Sequence, residues 1–111
     1  MEPIRLKLQR AIERSKAAYG LYIRDKKYYQ ALRIKQANNE VYGLLQSFLY
    51  ECKDSEIGVV HVYLFHLEDW FHQFEYLERN EPALESEFVF ERFVDTPPFP
   101  KNILTILKIT K

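Results

Sequence analysis

Apolar residues at positions 57–77 repeat with a seven-residue period, and this constrains the fold more than any other feature of the chain. Side chains at the first and fourth positions of a heptad share one side of a helix. Here they are Ile57, Val60, Leu64, Leu67, Phe71 and Phe74. Tyr63, Trp70 and Leu77 widen this face. β-branched residues near the start permit a strand, but the period continues unbroken into DWFHQFEYLER, which predicts a central amphipathic helix over residues 55–79.

The first turns of this helix carry apolar residues on other faces as well. They are Val59, Val62 and Phe65. A helix that is apolar on all sides is normally enclosed by its neighbours. We therefore expect this end of the helix to be buried on most sides.

Residues 1–52 contain two further amphipathic patterns. The first follows Pro3, which suits the first turn of a helix, and recurs at three- and four-residue steps: Ile4, Leu8, Ala11, Ile12, Ser15, Ala18, Tyr19 and Tyr22. Asp25 is a plausible N-cap for the second helix, whose apolar row is Ala31, Ile34, Ala37, Val41, Leu44, Leu45, Phe48 and Cys52. The pattern predicts a basic helical hairpin over residues 1–52. A single helix from Pro3 to Cys52 stays open as an alternative.

The stretch RDKKYYQALRI resembles the turn and second-helix start of a tetratricopeptide-type unit. Tyr28, Ala31 and Leu32 stand at matching spacing. The likeness covers about twenty residues, and no second copy follows at the period of about 34 residues that such arrays need. The resemblance supports a helical hairpin that breaks near Asp25, and nothing further.

Residues after position 52 predict the remaining elements. Asp54 or Ser55 can cap the central helix. Asn80 followed by Pro82 predicts that this helix ends and that a new helix begins. A short fourth helix is expected over residues 82–94, followed by a proline-containing tail over residues 96–111. The chain is therefore predicted to be an all-α domain, a small antiparallel bundle of about four helices. If EFVFERF and ILTILKI are instead strands, they form a C-terminal hairpin and the fold is α+β.

Composition excludes several classes of protein. A chain of 111 residues fits one domain, and three scattered glycines cannot build a phosphate-binding loop. Cys52 is the only cysteine, so no internal disulfide is expected, which is typical of a reducing cytoplasm. The N-terminus lacks a signal-peptide pattern. No apolar run approaches the roughly 20 residues of a membrane span. We expect a cytoplasmic protein.

Charge divides the chain into two halves although the total is zero. Residues 1–36 hold ten Lys and Arg against three carboxylates, and residues 37–111 hold six against thirteen. The simplest interpretation is that the halves pack together and neutralise each other, within or between chains. A basic surface for nucleic acid or an acidic partner is the alternative.

The stretch HVYLFHLEDWFHQFE holds all three histidines of the chain. On a helix only Glu68, His72 and Glu75 can converge, because they are four and three residues apart. Carboxylate and imidazole can bind a metal ion, but a ligand from another helix would be needed. A solvated flank in which His72 pairs with the two carboxylates is favoured, and no cofactor and no catalytic residue is predicted.

Two kinds of partner surface remain as hypotheses. Candidate nucleic-acid contacts are the N-terminal cations Arg5, Arg10, Arg14, Lys26, Lys27 and Arg33, with nearby tyrosines that could stack on bases. The cations near the N-terminus look widely spread around their helix, however. Candidate protein-interface residues are Tyr63, Trp70, Leu77, Phe88, Phe90, Phe93, Leu104 and Leu107. The favoured role is a non-catalytic protein-interaction or self-association module, expected to be a homodimer. Nucleic-acid association is the first alternative, and metal or small-ligand binding the second.

Overall fold

The computed structural model describes residues 3–79, and this part of the chain is entirely helical. It contains α1 (Ile4–Asp25), α2 (Tyr28–Phe48) and α3 (Asp54–Glu78). The all-α class is confirmed for these residues, and no strand occurs among them. The predicted helix at 82–94, the tail at 96–111 and the alternative C-terminal hairpin lie outside the described residues.

The break near Asp25 is confirmed, so the single-helix alternative is wrong. The role assigned to Asp25 is also wrong, since it is the last residue of α1 and Lys27 is the N-cap of α2. Lys26 closes α1 in the left-handed conformation, with φ of 50°, and its N–H donates to the Tyr22 carbonyl at 2.6 Å. The Asp25 carboxylate instead accepts a hydrogen bond from the Gln30 side chain at 3.2 Å.

The N-terminus of α3 is capped differently from the prediction. Neither Asp54 nor Ser55 is the N-cap, because the helix begins one residue earlier and Lys53 takes that position. The backbone N–H of Lys53 donates to the Glu56 carboxylate at 2.9 Å. Glu56 is thus the residue that closes this end, and it makes the glutamate half of the capping box that sequence patterns associate with Ser or Thr at the cap.

The predicted apolar rows form the core. In α1 every row member beyond Ile4 is buried, and in α2 the deepest positions are Ala31, Ile34, Val41, Leu45 and Phe48. The core has two clusters along the bundle. One gathers around Phe48, Val60 and Tyr63, and the other around Trp70 and Phe74. Cys52 is a half-buried free thiol, in agreement with its assignment as a packed residue.

A polar contact lies inside the α1–α2 interface. The Ser15 hydroxyl donates to the Asn38 side-chain carbonyl, and both residues are fully buried. Short buried side chains also occur on both helices, Ala11 and Ala18 on α1 and Ala31 on α2. Because small residues let helix backbones approach closely, α1 and α2 lie nearer to each other than α2 does to α3.

The expectation that the first turns of α3 are buried on most sides is wrong. Val62 is 53% exposed and Phe65 is 67% exposed. The heptad side of α3 faces α1 and α2, and the opposite side of the same turns faces solvent. A single helix face in contact with the bundle leaves these apolar side chains outside it.

Candidate interaction surfaces

The exposed side of the first half of α3 carries large apolar side chains. Residues 57–67 contain no Asp, Glu, Lys or Arg, although 29% of the chain is charged. Val62 and Phe65 project from this side, and Tyr50 stands beside it at 93% exposure. We call Tyr50, His61, Val62 and Phe65 the α3 outer patch.

A hollow borders the α3 outer patch where the end of α2 meets α3. It is lined by Gln46, Leu49, Tyr50, His61 and Leu64. Phe65 lies one helical turn from His61, so a projecting ring and a recess occur side by side. Among residues 3–79, none that lines the recess is Asp, Glu, Lys or Arg. The arrangement suits contact with another apolar surface.

The interface residues predicted from sequence are placed differently. Tyr63 and Trp70 are 1% and 0% exposed, and Leu77 is half-buried, so all three serve the core of one chain. The other five predicted residues, Phe88, Phe90, Phe93, Leu104 and Leu107, lie beyond the described part. Val62 and Phe65 were not proposed as interface residues. The absence of charge around the whole circumference of residues 57–67 is the signal that could have identified them.

Glu68, His72 and Glu75 line a shallow cleft together with Phe71 from the same helix. The opposite wall comes from α2 and consists of Lys35, Asn39 and Tyr42. The Tyr42 hydroxyl donates to Glu68 at 2.8 Å, and this hydrogen bond raises the pKa of Tyr42. Glu68 is therefore already engaged by a neighbouring helix.

The side chains that α2 brings to this cleft include no His, Cys, Asp or Glu. That helix brings an ammonium, an amide and a phenol, and of these only the amide oxygen is an ordinary metal ligand. Within residues 3–79, no three His, Cys, Asp or Glu side chains are grouped so that they could hold a metal ion.

Arg5, the first of the predicted nucleic-acid contacts, has a structural role. Its guanidinium donates to both carboxylate oxygens of Glu56, at 3.1 and 2.8 Å. It also lies over the Phe48 ring, 4.7 Å from the centroid. Because the hydrogen bond from Arg5 favours the ionised form, the pKa of Glu56 is lowered from its ordinary value. This pair ties the start of α1 to the start of α3.

Three other cations lie on a different side of α1 from Arg5. Lys7, Arg10 and Arg14 stand three and four residues apart, so they follow one face of the helix. This face continues through Ala17, Ala18 and Leu21, with Arg33, Gln36, Ala37, Glu40 and Leu44 from α2 opposite. We call this surface the α1–α2 groove. No residue of α3 lines it.

The remaining basic candidates and the tyrosines lie apart from the groove. Lys26 and Lys27 form the turn between α1 and α2. Tyr19 and Tyr22 are buried in the core, where burial raises the pKa of Tyr19. The Tyr28 hydroxyl donates to Glu78, which raises the pKa of Tyr28 to about 12. Tyr19, Tyr22 and Tyr28 are therefore buried or hydrogen-bonded, whereas Tyr29 at the start of α2 is 40% exposed.

The two oppositely charged halves do contact each other within one chain. Arg5 pairs with Glu56, Arg14 with Glu40 and Lys35 with Glu78, and each pair joins a cation before residue 37 to a carboxylate after it. The neutralisation inferred from the charge pattern is confirmed at these three positions.

Comparisons with known proteins do not indicate a family or a function for these surfaces. None of the three helices has a stretch long and apolar enough to cross a membrane, over the residues that the structure describes. No protein-family model matches the chain, and neither a curated protein nor a solved structure shows significant similarity to it.

Proposed function

We propose that this protein is a non-catalytic helical module that self-associates through the α3 outer patch. The observation that carries the proposal is the exposure of Val62 and Phe65 within a helical segment, residues 57–67, that has no charged side chain. The buried centres of protein interfaces are depleted of charge and enriched in aromatic residues. The patch has both properties.

The hydrophobic effect supplies the driving force. Burying apolar surface releases about 25 cal/mol per Å², and Phe65, Val62 and Tyr50 are the large apolar side chains that the bundle leaves in water at this end. A stable interface buries roughly 800 Å² on each partner. Residues around the patch, including Gln46 and Leu49, would contribute to that area.

A second copy of the chain is the partner that best fits the patch. In a two-fold dimer each surface meets its own equivalent, so Phe65 of each copy could enter the recess beside His61 of the other. The net charge of the chain is zero at pH 7. Two copies therefore approach without the long-range repulsion that opposes association of strongly charged proteins.

Substitution of Phe65 tests the proposal directly. Phe65→Glu places a charge at the centre of the patch, and we expect the dimer dissociation constant to rise at least about tenfold, because an unpaired carboxylate would be desolvated. The measurement is mass against concentration by sedimentation equilibrium. Circular dichroism should be unchanged, since Phe65 is 67% exposed and belongs to neither core cluster.

Tyr76→Glu is the matched control. Tyr76 lies on the same helix and is 69% exposed, three turns from Phe65 and outside the patch. It should leave the dissociation constant unaltered. A wild-type protein that stays monomeric at every soluble concentration would refute self-association, and equal effects of the two substitutions would refute the role of the patch.

A further inference from the structure

We propose that the α1–α2 groove binds an acidic amphipathic helix from a protein partner. This surface is separate from the α3 outer patch, and the two proposals stand or fall independently. The groove combines an apolar floor with a positively charged rim, and the partner is inferred from that combination.

The floor of the groove is made of small and aliphatic side chains. Ala17 and Ala18 from α1 lie opposite Ala37 from α2, and Leu21 and Leu44 stand towards the ends. Alanine side chains let a third helix approach both backbones closely, as in the packing of helix ridges into grooves. An apolar stripe on the incoming helix would displace water from this floor.

The rim of the groove is positive. Among residues 3–79, Lys7, Arg10, Arg14 and Arg33 supply four cations, and Glu40 is the one carboxylate that lines the groove. Arg14 pairs with Glu40, so the carboxylate is held by a cation of the rim. Carboxylates along the polar edges of a bound helix would face this positive rim and set its orientation.

The length of the groove fits a helix of ordinary size. Lys7 and Leu21 mark its ends on α1, and a helix rises about 1.5 Å per residue, which gives about 21 Å. A ligand helix of about fourteen residues, or four turns, spans this distance.

Nucleic acid fits the groove less well than an acidic helix does. Single strands gain much of their binding energy by stacking bases on aromatic side chains, and no aromatic residue of the described part of the chain lines the groove. A phosphate backbone gains nothing from the alanine floor. The observations therefore favour a peptide ligand.

The test uses the full chain and a labelled probe peptide of Glu, Ala and Leu, with leucines at helical spacing along one face. Fluorescence anisotropy at low salt should show saturable binding that weakens as salt is added. Arg33→Glu should weaken it at least about tenfold, because it reverses one rim charge. Arg24→Glu, the same change at an exposed position outside the groove, should have little effect.

Ala17→Trp distinguishes a helix from a polyanion. Ala17 is exposed, so the indole fills the floor without disturbing the core, and binding of the acidic peptide should be lost. An RNA oligonucleotide that binds, loses affinity in Arg33→Glu and keeps it in Ala17→Trp would overturn the proposal in favour of nucleic acid. No binding of the acidic peptide at low salt would overturn it as well.

Discussion

The α1–α2 interface and the contact of α3 with the other two helices are built from different kinds of side chain. Between α1 and α2 the buried residues include Ala11, Ala31 and the Ser15–Asn38 pair. The face of α3 instead buries Trp70 and other large side chains, Tyr63, Leu67 and Phe74 among them. The backbones of α1 and α2 are accordingly closer than those of α2 and α3.

The difference shows that two solutions for excluding water coexist in one small bundle. Small residues bring backbones together and bury main-chain and Cβ surface, whereas aromatic residues fill a wider gap with their own volume. Trp70 stacks on Phe74 with centroids 5.3 Å apart, and Tyr28 of α2 stacks on the same Phe74 ring. Truncation of a side chain should therefore destabilise the contact of α3 most, and enlargement of a side chain should destabilise the α1–α2 interface.

Truncation at the wide interface should have the largest effect. Trp70→Ala removes the largest buried side chain of the core, and we expect the free energy of unfolding to fall by about 3–5 kcal/mol. Urea denaturation followed by far-UV circular dichroism measures it. Trp70→Leu should lower the free energy of unfolding by less than Trp70→Ala does. It gives a measurable value if the alanine variant does not fold. A loss below about 1 kcal/mol for Trp70→Ala would show that aromatic volume does not hold α3 in place.

Enlargement at the close interface should come second. Ala11 is fully buried, and Ala11→Leu should destabilise by about 1–3 kcal/mol because the backbones must separate to admit the added carbons. The matched control is Ala17→Leu, on the exposed face of the same helix, which should change stability by no more than about 0.5 kcal/mol. Thermal and urea unfolding give both values. If Ala11→Leu is as mild as its control, close packing is not what defines this interface.

Removing an ion pair should have the smallest effect on the free energy of unfolding. Arg5 and Glu56 have side chains 31% and 4% exposed, so Arg5→Ala should cost about 1–2 kcal/mol at neutral pH, between the values typical of exposed and buried pairs. Arg14→Ala removes an exposed pair with Glu40 and should cost less than about 1 kcal/mol.

The Arg5–Glu56 pair also predicts a dependence on pH. Because the pKa of Glu56 is lower in the folded protein than its ordinary value of 4.5, its stabilisation is present above that value. It is lost as the pH falls through the folded pKa. The difference in stability between wild type and Arg5→Ala should therefore narrow in acid. It should not vanish, since contact with the Phe48 ring remains. A difference that stays constant from neutral to acidic pH would refute the contribution of ionised Glu56.

Much of the helical core could be predicted from local periodicity. The positions of Leu8, Ile12 and Tyr22 on one face follow from a repeat of 3.6 residues, and all three are buried as expected. The helix ends could not be placed as well. Capping by Lys53 and Glu56, and the left-handed turn at Lys26, depend on how each chain segment enters the bundle, and neither lysine is a residue that such positions prefer.

The candidate surfaces were predicted less completely. The spacing of Glu68, His72 and Glu75 correctly predicted that they lie together, and they line one cleft, because all three are on one helix. It could not foresee that Tyr42 of α2 would bind Glu68. Contacts between helices depend on their relative rotation and separation, which a pattern within one helix does not encode.

The sequence by itself determined the helical class of residues 3–79, the inward faces of three helices and the sorting of charge between the two halves, since each depends on residues close together in the chain. The tertiary structure determined which side chains stay exposed to solvent. It buried Tyr63 and exposed Phe65 within the uncharged segment 57–67. It also bonded Arg5 to Glu56 while leaving Arg33 on the rim of a groove. The physical reason is that burial and pairing depend on which surfaces the neighbouring helices cover.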